Sequence, residues 1–125
     1  MSDISTDKSK RFLLSLICHG FTLIGVSLLS IAAPIAVLFV SDDQVVRQNA
    51  KESINFHLNI WFWAAVIGGI YGFLSFVTLG ILGFILFPIV AFGFLWHFGW
   101  SVMAILHTVT NPNEPYRYPF IFRLL

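Results

Sequence analysis

The chain has 125 residues, 58% of them hydrophobic and only 10% charged, with a net charge of +1. A soluble domain carries about 25% charged residues, and a chain this short cannot hide so much apolar surface in one core, so the composition excludes an ordinary soluble domain and points to a lipid bilayer as solvent. The weak net charge, with no basic stripe, excludes nucleic acid as a partner, and the lone Cys18 excludes an internal disulfide.

Residues 1–9 are polar and are expected to form a disordered N-terminus, ahead of a single helical membrane domain over residues 10–125. Lys8, Lys10 and Arg11 precede an apolar run from Phe12 to Val40 that contains no charged residue. That run outlasts the roughly 7–15-residue core of a signal peptide, which argues against cleavage. Pro34 has no N–H to donate and clashes with the preceding turn. The run is therefore expected to kink or turn back near Ala32 to Pro34.

At 41–44 the sequence "SDDQ" pairs Ser41 with Gln44 in a capping box, and its two aspartates suit a helix N-terminus. A helix from Asp43 to Thr78 would be ~54 Å long, against a hydrocarbon core of ~30 Å. Its first turns must then lie outside that core or at its edge. They hold "NAKESINFHLN" at 49–59, where Arg47, Lys51, Asn55 and Asn59 recur every four residues as a polar stripe. An apolar run from Leu58 to Thr78 follows.

The stretch "TLGILG" at 78–83 offers glycines for a reversal, and a third apolar run extends from Ile81 to Val109. Pro88 is expected in the first turn of that helix. The last two runs predict an antiparallel hairpin. With its turn centred near residue 81, opposed residue numbers add to about 162 and set Gly69 against Gly93. Gly69, Gly72 and Gly93 are expected to let the helices approach closely, with a pore lining as the alternative. Prolines in "NPNEPYRYPFIFRLL" stop the third helix after Thr110, and Tyr116 and Tyr118 suit a membrane interface.

Lys and Arg collect on the cytoplasmic side of membranes. Three simple crossings divide the seven basic residues between both sides, whereas a re-entrant first run gathers all of them on one. The expectation is an all-α integral membrane protein of three to four apolar helical segments. The first is kinked or re-entrant at Pro34, the last two form an antiparallel hairpin, and both termini are cytoplasmic. A single kinked crossing is the alternative.

Charge and register bring residues 47–59 and 111–123 to one surface. The stripe is expected to dock the tail through Glu52 with Arg117 and Lys51 with Glu114, with Asn55 bridging to backbone freed by the tail prolines. Phosphate binding by Lys51, Arg117 and Arg123 is a rival, and a solvated face with negligible pair energies is a third reading. His19, His57, His97 and His107 lie in or beside apolar helices, but no "CxxCH" or "HExxH" is present. They read as interhelical hydrogen-bonding groups, so no cofactor and no metal are expected. Glu52 and Glu114 are the only glutamates and all aspartates precede residue 44, so no carboxylate pair is placed for catalysis and no enzyme is expected.

Ala50, Lys51, Glu52, Asn55 and Phe56, together with Glu114, Tyr116, Arg117, Tyr118 and Pro119, resemble the two motifs of the Tic-twenty-like family. That family comprises a chloroplast inner-envelope translocon subunit and small prokaryotic membrane proteins. Ser53, His57 and Asn113 depart from its pattern. The resemblance implies a four-helix integral membrane protein without an enzyme's active site, and the scarcity of polar residues at mid-membrane favours an accessory or scaffold subunit of a membrane complex, for protein translocation or assembly. The resemblance also implies a bacterial inner or thylakoid membrane, with lipid and other membrane subunits as partners. A small oligomeric channel or transporter is the alternative. Polar residues expected at mid-membrane are limited to Ser27, Ser30, Ser75, Thr78, His97 and Ser101, few for a conduction path.

Overall fold

The computed structural model describes residues 2–24 and 27–125. Among them are four helices: α1 (Ser2–Gly20), α2 (Leu28–Val40), α3 (Gln44–Val77) and α4 (Ile81–Thr110). A 3-10 turn, Phe21–Ile24, follows α1, and residues 111–125 form a tail without helix. α1 starts at Ser2, inside the segment that composition assigns to disorder. Asp7 ahead of Lys10 and Arg11 gives that segment the charge order a helix favours.

The first apolar run breaks after Gly20 rather than at Pro34. Thr22 Oγ1 donates to the His19 carbonyl (2.5 Å) in the 3-10 turn, and Ser30 Oγ donates to the Ser27 carbonyl (2.6 Å) as α2 begins. These hydroxyls satisfy backbone at the break, while Pro34 sits buried inside α2 at the loss of one helical bond. α2 has 13 residues, too short for a crossing that takes about 20.

Asp43, not the Ser41–Gln44 box, caps α3. Its Oδ1 accepts from the Val45 and Val46 N–H groups at 2.9 and 3.2 Å. Arg11 Nε donates to Asp43 Oδ2 (2.7 Å), which ties α1 to the start of α3. Arg47 Nη1 closes the end of α2, donating to the Leu38 and Ser41 carbonyls at 2.7 and 3.3 Å.

The hairpin expected of α3 and α4 is present, with a shorter turn. It spans Thr78 to Gly80, and Gly80 takes a φ of 92° that favours glycine. Opposed residue numbers therefore add to about 158, as Ser75 against Gly83 shows. A Cβ on Gly83 would overlap Ser75 Oγ, and Tyr71 Oη donates to the Gly83 carbonyl (3.0 Å). A Cβ on Gly69, Gly72 or Gly93 would meet nothing within 4 Å. The close approach expected at those three glycines thus falls at Gly83 instead, because the earlier turn shifts the register. Pro88 lies beyond the first turn of α4, inside the helix.

Burial divides α3 in two. Its buried residues run from Val46 to Asn59, and none lies beyond. Cys18, Val37, Val46 and Ala50 make one core cluster; Phe56, Ala104 and Tyr118 make another. The core therefore sits where α1, α2, the first half of α3, the second half of α4 and the tail meet. The apolar remainder of the hairpin, with Phe73, Phe76, Phe84 and Leu95 outward, is uncovered.

Candidate functional site: a polar helix face that holds the C-terminal tail

Asn49, Glu52, Asn55 and Asn59 are spaced by three, three and four residues, so they share one face of α3. Each accepts backbone N–H groups from the tail. Asn49 Oδ1 takes Tyr116 N–H (2.9 Å) and Glu52 Oε2 takes Tyr118 N–H (2.9 Å). Asn59 Oδ1 takes Phe122 N–H (2.9 Å), while its Nδ2 donates back to the Phe122 carbonyl (2.8 Å). Asn55 Oδ1 takes Leu124 and Leu125 N–H at 3.0 and 3.1 Å. Four helix side chains do for the tail what a neighbouring strand does in a sheet. The tail climbs α3 from Asn49 to Asn59 and then folds back to Asn55, with Phe120 at a φ of 57° near the bend.

One charge pair fastens the hook. Arg123 donates through Nε to Glu52 Oε1 (2.7 Å) and through Nη2 to Glu52 Oε2 (3.2 Å), and Nη2 also reaches the Tyr118 carbonyl (2.6 Å). Such two-point guanidinium–carboxylate bonds are among the stronger hydrogen bonds in proteins. The bond to Glu52 raises the Arg123 pKa above its already high value. Among the described residues the ion pairs are this one and Arg11 with Asp43. The expected partners Arg117 for Glu52 and Glu114 for Lys51 are therefore replaced. Side chains alternate along an extended chain, so burying Tyr118 with Tyr116 half-buried turns Arg117 outward. Lys51 lies about 100° round the helix from Glu52 and takes no part in the docking. Asn55 meets Leu124 and Leu125 rather than backbone beside the prolines.

Beneath the hook, Tyr118 is 0% exposed. Its ring stacks on Phe56 at 4.1 Å and meets Tyr116 edge-on at 4.9 Å. Tyr118 Oη and His19 Nδ1 are 2.9 Å apart, and His19 Nε2 is 2.8 Å from Asn49 Oδ1. An amide oxygen only accepts, so His19 carries its proton on Nε2 and accepts the Tyr118 hydroxyl on Nδ1. Asn49 Nδ2 donates on to Ser15 Oγ (3.0 Å), and Ser53 Oγ donates to the Cys18 carbonyl (2.7 Å). One buried network thus joins α1, α3 and the tail. Burial pushes the Tyr118 hydroxyl pKa well above 10 and raises that of Tyr116. Burial works to raise the Asp43 pKa, but its bonds to Arg11 and to the cap N–H groups outweigh that and hold it below the ordinary value.

The other histidines lie around the same core. His107 is 5.3 Å from the Tyr116 ring, His97 stacks on Phe56 at 5.4 Å, and His57 Nδ1 donates to the Ser53 carbonyl (2.8 Å). Among the described residues no three His, Cys, Asp or Glu side chains are grouped to hold a metal ion. The expected motif residues Glu52, Asn55, Tyr116 and Tyr118 come together in this site; Lys51, Glu114 and Arg117 stay outside it. Asn49, His19 and Arg123 are docking residues that the stripe of every fourth residue passed over. The Asn–Glu–Asn–Asn spacing of three, three and four carried the signal, because those side chains are acceptors for an incoming backbone.

A polar half closed on its own C-terminus, carrying a long apolar hairpin left bare, is the build of a small helical membrane protein. Residues 10–125 match the model of the magnetosome magnetite crystal formation protein family, MamF/MmsF, and the chain belongs to that family. No curated protein and no solved structure matches it. The family match overturns the Tic-twenty-like resemblance, and the translocation role falls with it. Two short motifs carried that resemblance. Those motifs cover two short stretches, whereas the family model spans residues 10–125.

Proposed function

We propose that this protein is a non-enzymatic scaffold embedded in the magnetosome membrane, acting in magnetite crystal formation through what it organises there rather than through catalysis. The uncovered apolar hairpin of α3 and α4 carries the reading: both helices are long and apolar enough to cross a membrane. The polar half supports it, because its carboxylate and amides are spent on the tail. Arg11 bonds both Asp43 and Asn113, which brings the middle of α1 together with the starts of α3 and the tail. With the basic residues gathered there, that side and both termini face the cytoplasm. Lipid and other magnetosome membrane proteins are the partners.

The test is genetic. In a magnetosome-forming host, removal of the gene is expected to change crystal size or shape under electron microscopy, and the intact chain is expected to restore it. A fluorescent fusion is expected to line up with the crystal chain. Normal crystals in the deletion strain, or a fusion spread evenly over the cell membrane, would refute the proposal.

A further inference from the structure

The seam between α3 and α4 holds buried polar atoms without a partner among the described residues: His57 Nε2, Trp61 Nε1 and both ring nitrogens of His97. Helix spacing and register bring these residues to one stretch of the seam. His57 and Trp61 are four residues apart and share a face of α3. His97 stacks on Phe56, the residue beside His57, and the register of about 158 sets it level with Trp61. His97 is close enough to His57 to act on it electrostatically. The Thr22 backbone also approaches His97, without reaching hydrogen-bond geometry.

The chemistry of the set is defined. His57 is 1% exposed, and its Nδ1–H is committed to the Ser53 carbonyl, so Nε2 of the neutral ring is a bare acceptor. The Trp61 indole is a donor only. Neutral His97 supplies one donor and one acceptor. Buried polar groups in native proteins find partners almost without exception.

We infer that a water molecule is bound in this seam, donating to His57 Nε2 and to the acceptor nitrogen of His97 and accepting from the Trp61 N–H. Three such partners are the usual complement of a buried water. A metal ion fits the set poorly, since an indole N–H cannot ligate and no carboxylate joins the group. Glu52, the acid on the same half of α3, is taken up by Arg123 and the Tyr118 N–H. The water makes the upper seam of the hairpin a hydrogen-bonded joint between α3 and α4, where the lower seam at Gly83 is held by direct contact.

Solid-state NMR of the full chain in lipid bilayers, labelled with ¹⁵N-histidine, tests this without any substitution. The His57 Nε2 resonance is expected at the position of a hydrogen-bonded acceptor, with cross-peaks to exchangeable water protons. The variant Trp61→Phe is expected to weaken those cross-peaks and to lower the thermal unfolding midpoint. A His57 Nε2 resonance of a free lone pair would overturn the inference, as would a Trp61→Phe protein that unfolds at the same or a higher temperature, the outcome for a dry seam. A hydrogen-bonded or ligated signal that appears only when Zn²⁺ or Fe²⁺ is added and vanishes with chelator would overturn it in favour of a metal.

Discussion

Arg123 and Arg117 stand six residues apart in one tail and are expected to differ sharply in what they contribute. Arg123→Met removes both guanidinium bonds to Glu52 and the bond to the Tyr118 carbonyl. It leaves a carboxylate that is only 8% exposed without its cation. Breaking a fully buried pair costs about 3 to 5 kcal/mol. The Arg123 side chain is 32% exposed here, so water screens the pair and the expected cost is lower, about 2 kcal/mol. Glu52→Gln keeps one acceptor for the Tyr118 N–H and is expected to cost about as much, since it gives up the charge-assisted bonds. Because both changes break the same contact, the double variant should cost well under the sum of the two. Arg117→Met, on an exposed side chain outside any ion pair, should lie within about 0.5 kcal/mol of the parent. Denaturant unfolding in detergent micelles measures all four, with hydrogen exchange at the Tyr118 amide as a local readout. Equal losses for Arg117→Met and Arg123→Met, or strict additivity of Glu52→Gln with Arg123→Met, would show that the tail is not fastened as described.

Gly83→Leu is expected to destabilise the hairpin by about 1 to 3 kcal/mol through overlap with Ser75, whereas Gly69→Leu and Gly93→Leu should be nearly neutral in the monomer; equilibrium unfolding of the three distinguishes them. The Asp43 carboxyl is held below its ordinary pKa, so its cap and its pair with Arg11 stabilise the fold at neutral pH and lose that contribution as pH falls through the folded value. The acid limb of a stability–pH curve should therefore flatten in Asp43→Asn. The Tyr118 hydroxyl is raised above 10, so its contribution is complete below that pH and is lost as pH climbs beyond it; Tyr118→Phe should be less stable at neutral pH and less sensitive to alkali, read by the unfolding midpoint across pH.

A reversal within 78–83, the helix termini around it and the meeting of "NAKESINFHLN" with the tail were legible because they follow from local rules. Those rules are unbroken apolar length, glycine at a turn, and acceptors on one helical face. The break in the first run was misplaced because proline is only one way to lose a helical bond. Gly20 with the hydroxyls of Thr22 and Ser30 offered a cheaper place, and hydroxyl bonds to backbone leave no pattern that a hydropathy scan detects. The partner of Glu52 was misread for a different reason. Charge and hairpin register favour Arg117, but the folded-back tail returns Arg123 to the same carboxylate. A bend at Phe120, a residue that rarely takes positive φ, has no local signature. The register error at the glycines followed from placing the turn about two residues late.

The lengths of α3 and α4 explain why so apolar a chain keeps so polar a segment. α3 has 34 residues and α4 has 30, about 51 and 45 Å at 1.5 Å per residue, well beyond a hydrocarbon core of ~30 Å. Burial by protein ends after Asn59 on α3, which in the membrane reading proposed above leaves Ile60 to Val77, about 27 Å, for lipid. On α4, Gly83 at the turn apart, burial by protein begins at Ser101, which leaves most of Ile81 to Trp100, about 30 Å. Ile60 and Trp100 stand nearly level in the observed register, so both helices change solvent at the same height. Backbone at that height that is neither helix nor wet must find partners inside the protein. The tail is such backbone. Asn49, Glu52, Asn55 and Asn59 supply the acceptors it would otherwise lack, so in that reading the polar stripe lets an irregular tail lie against the edge of the membrane.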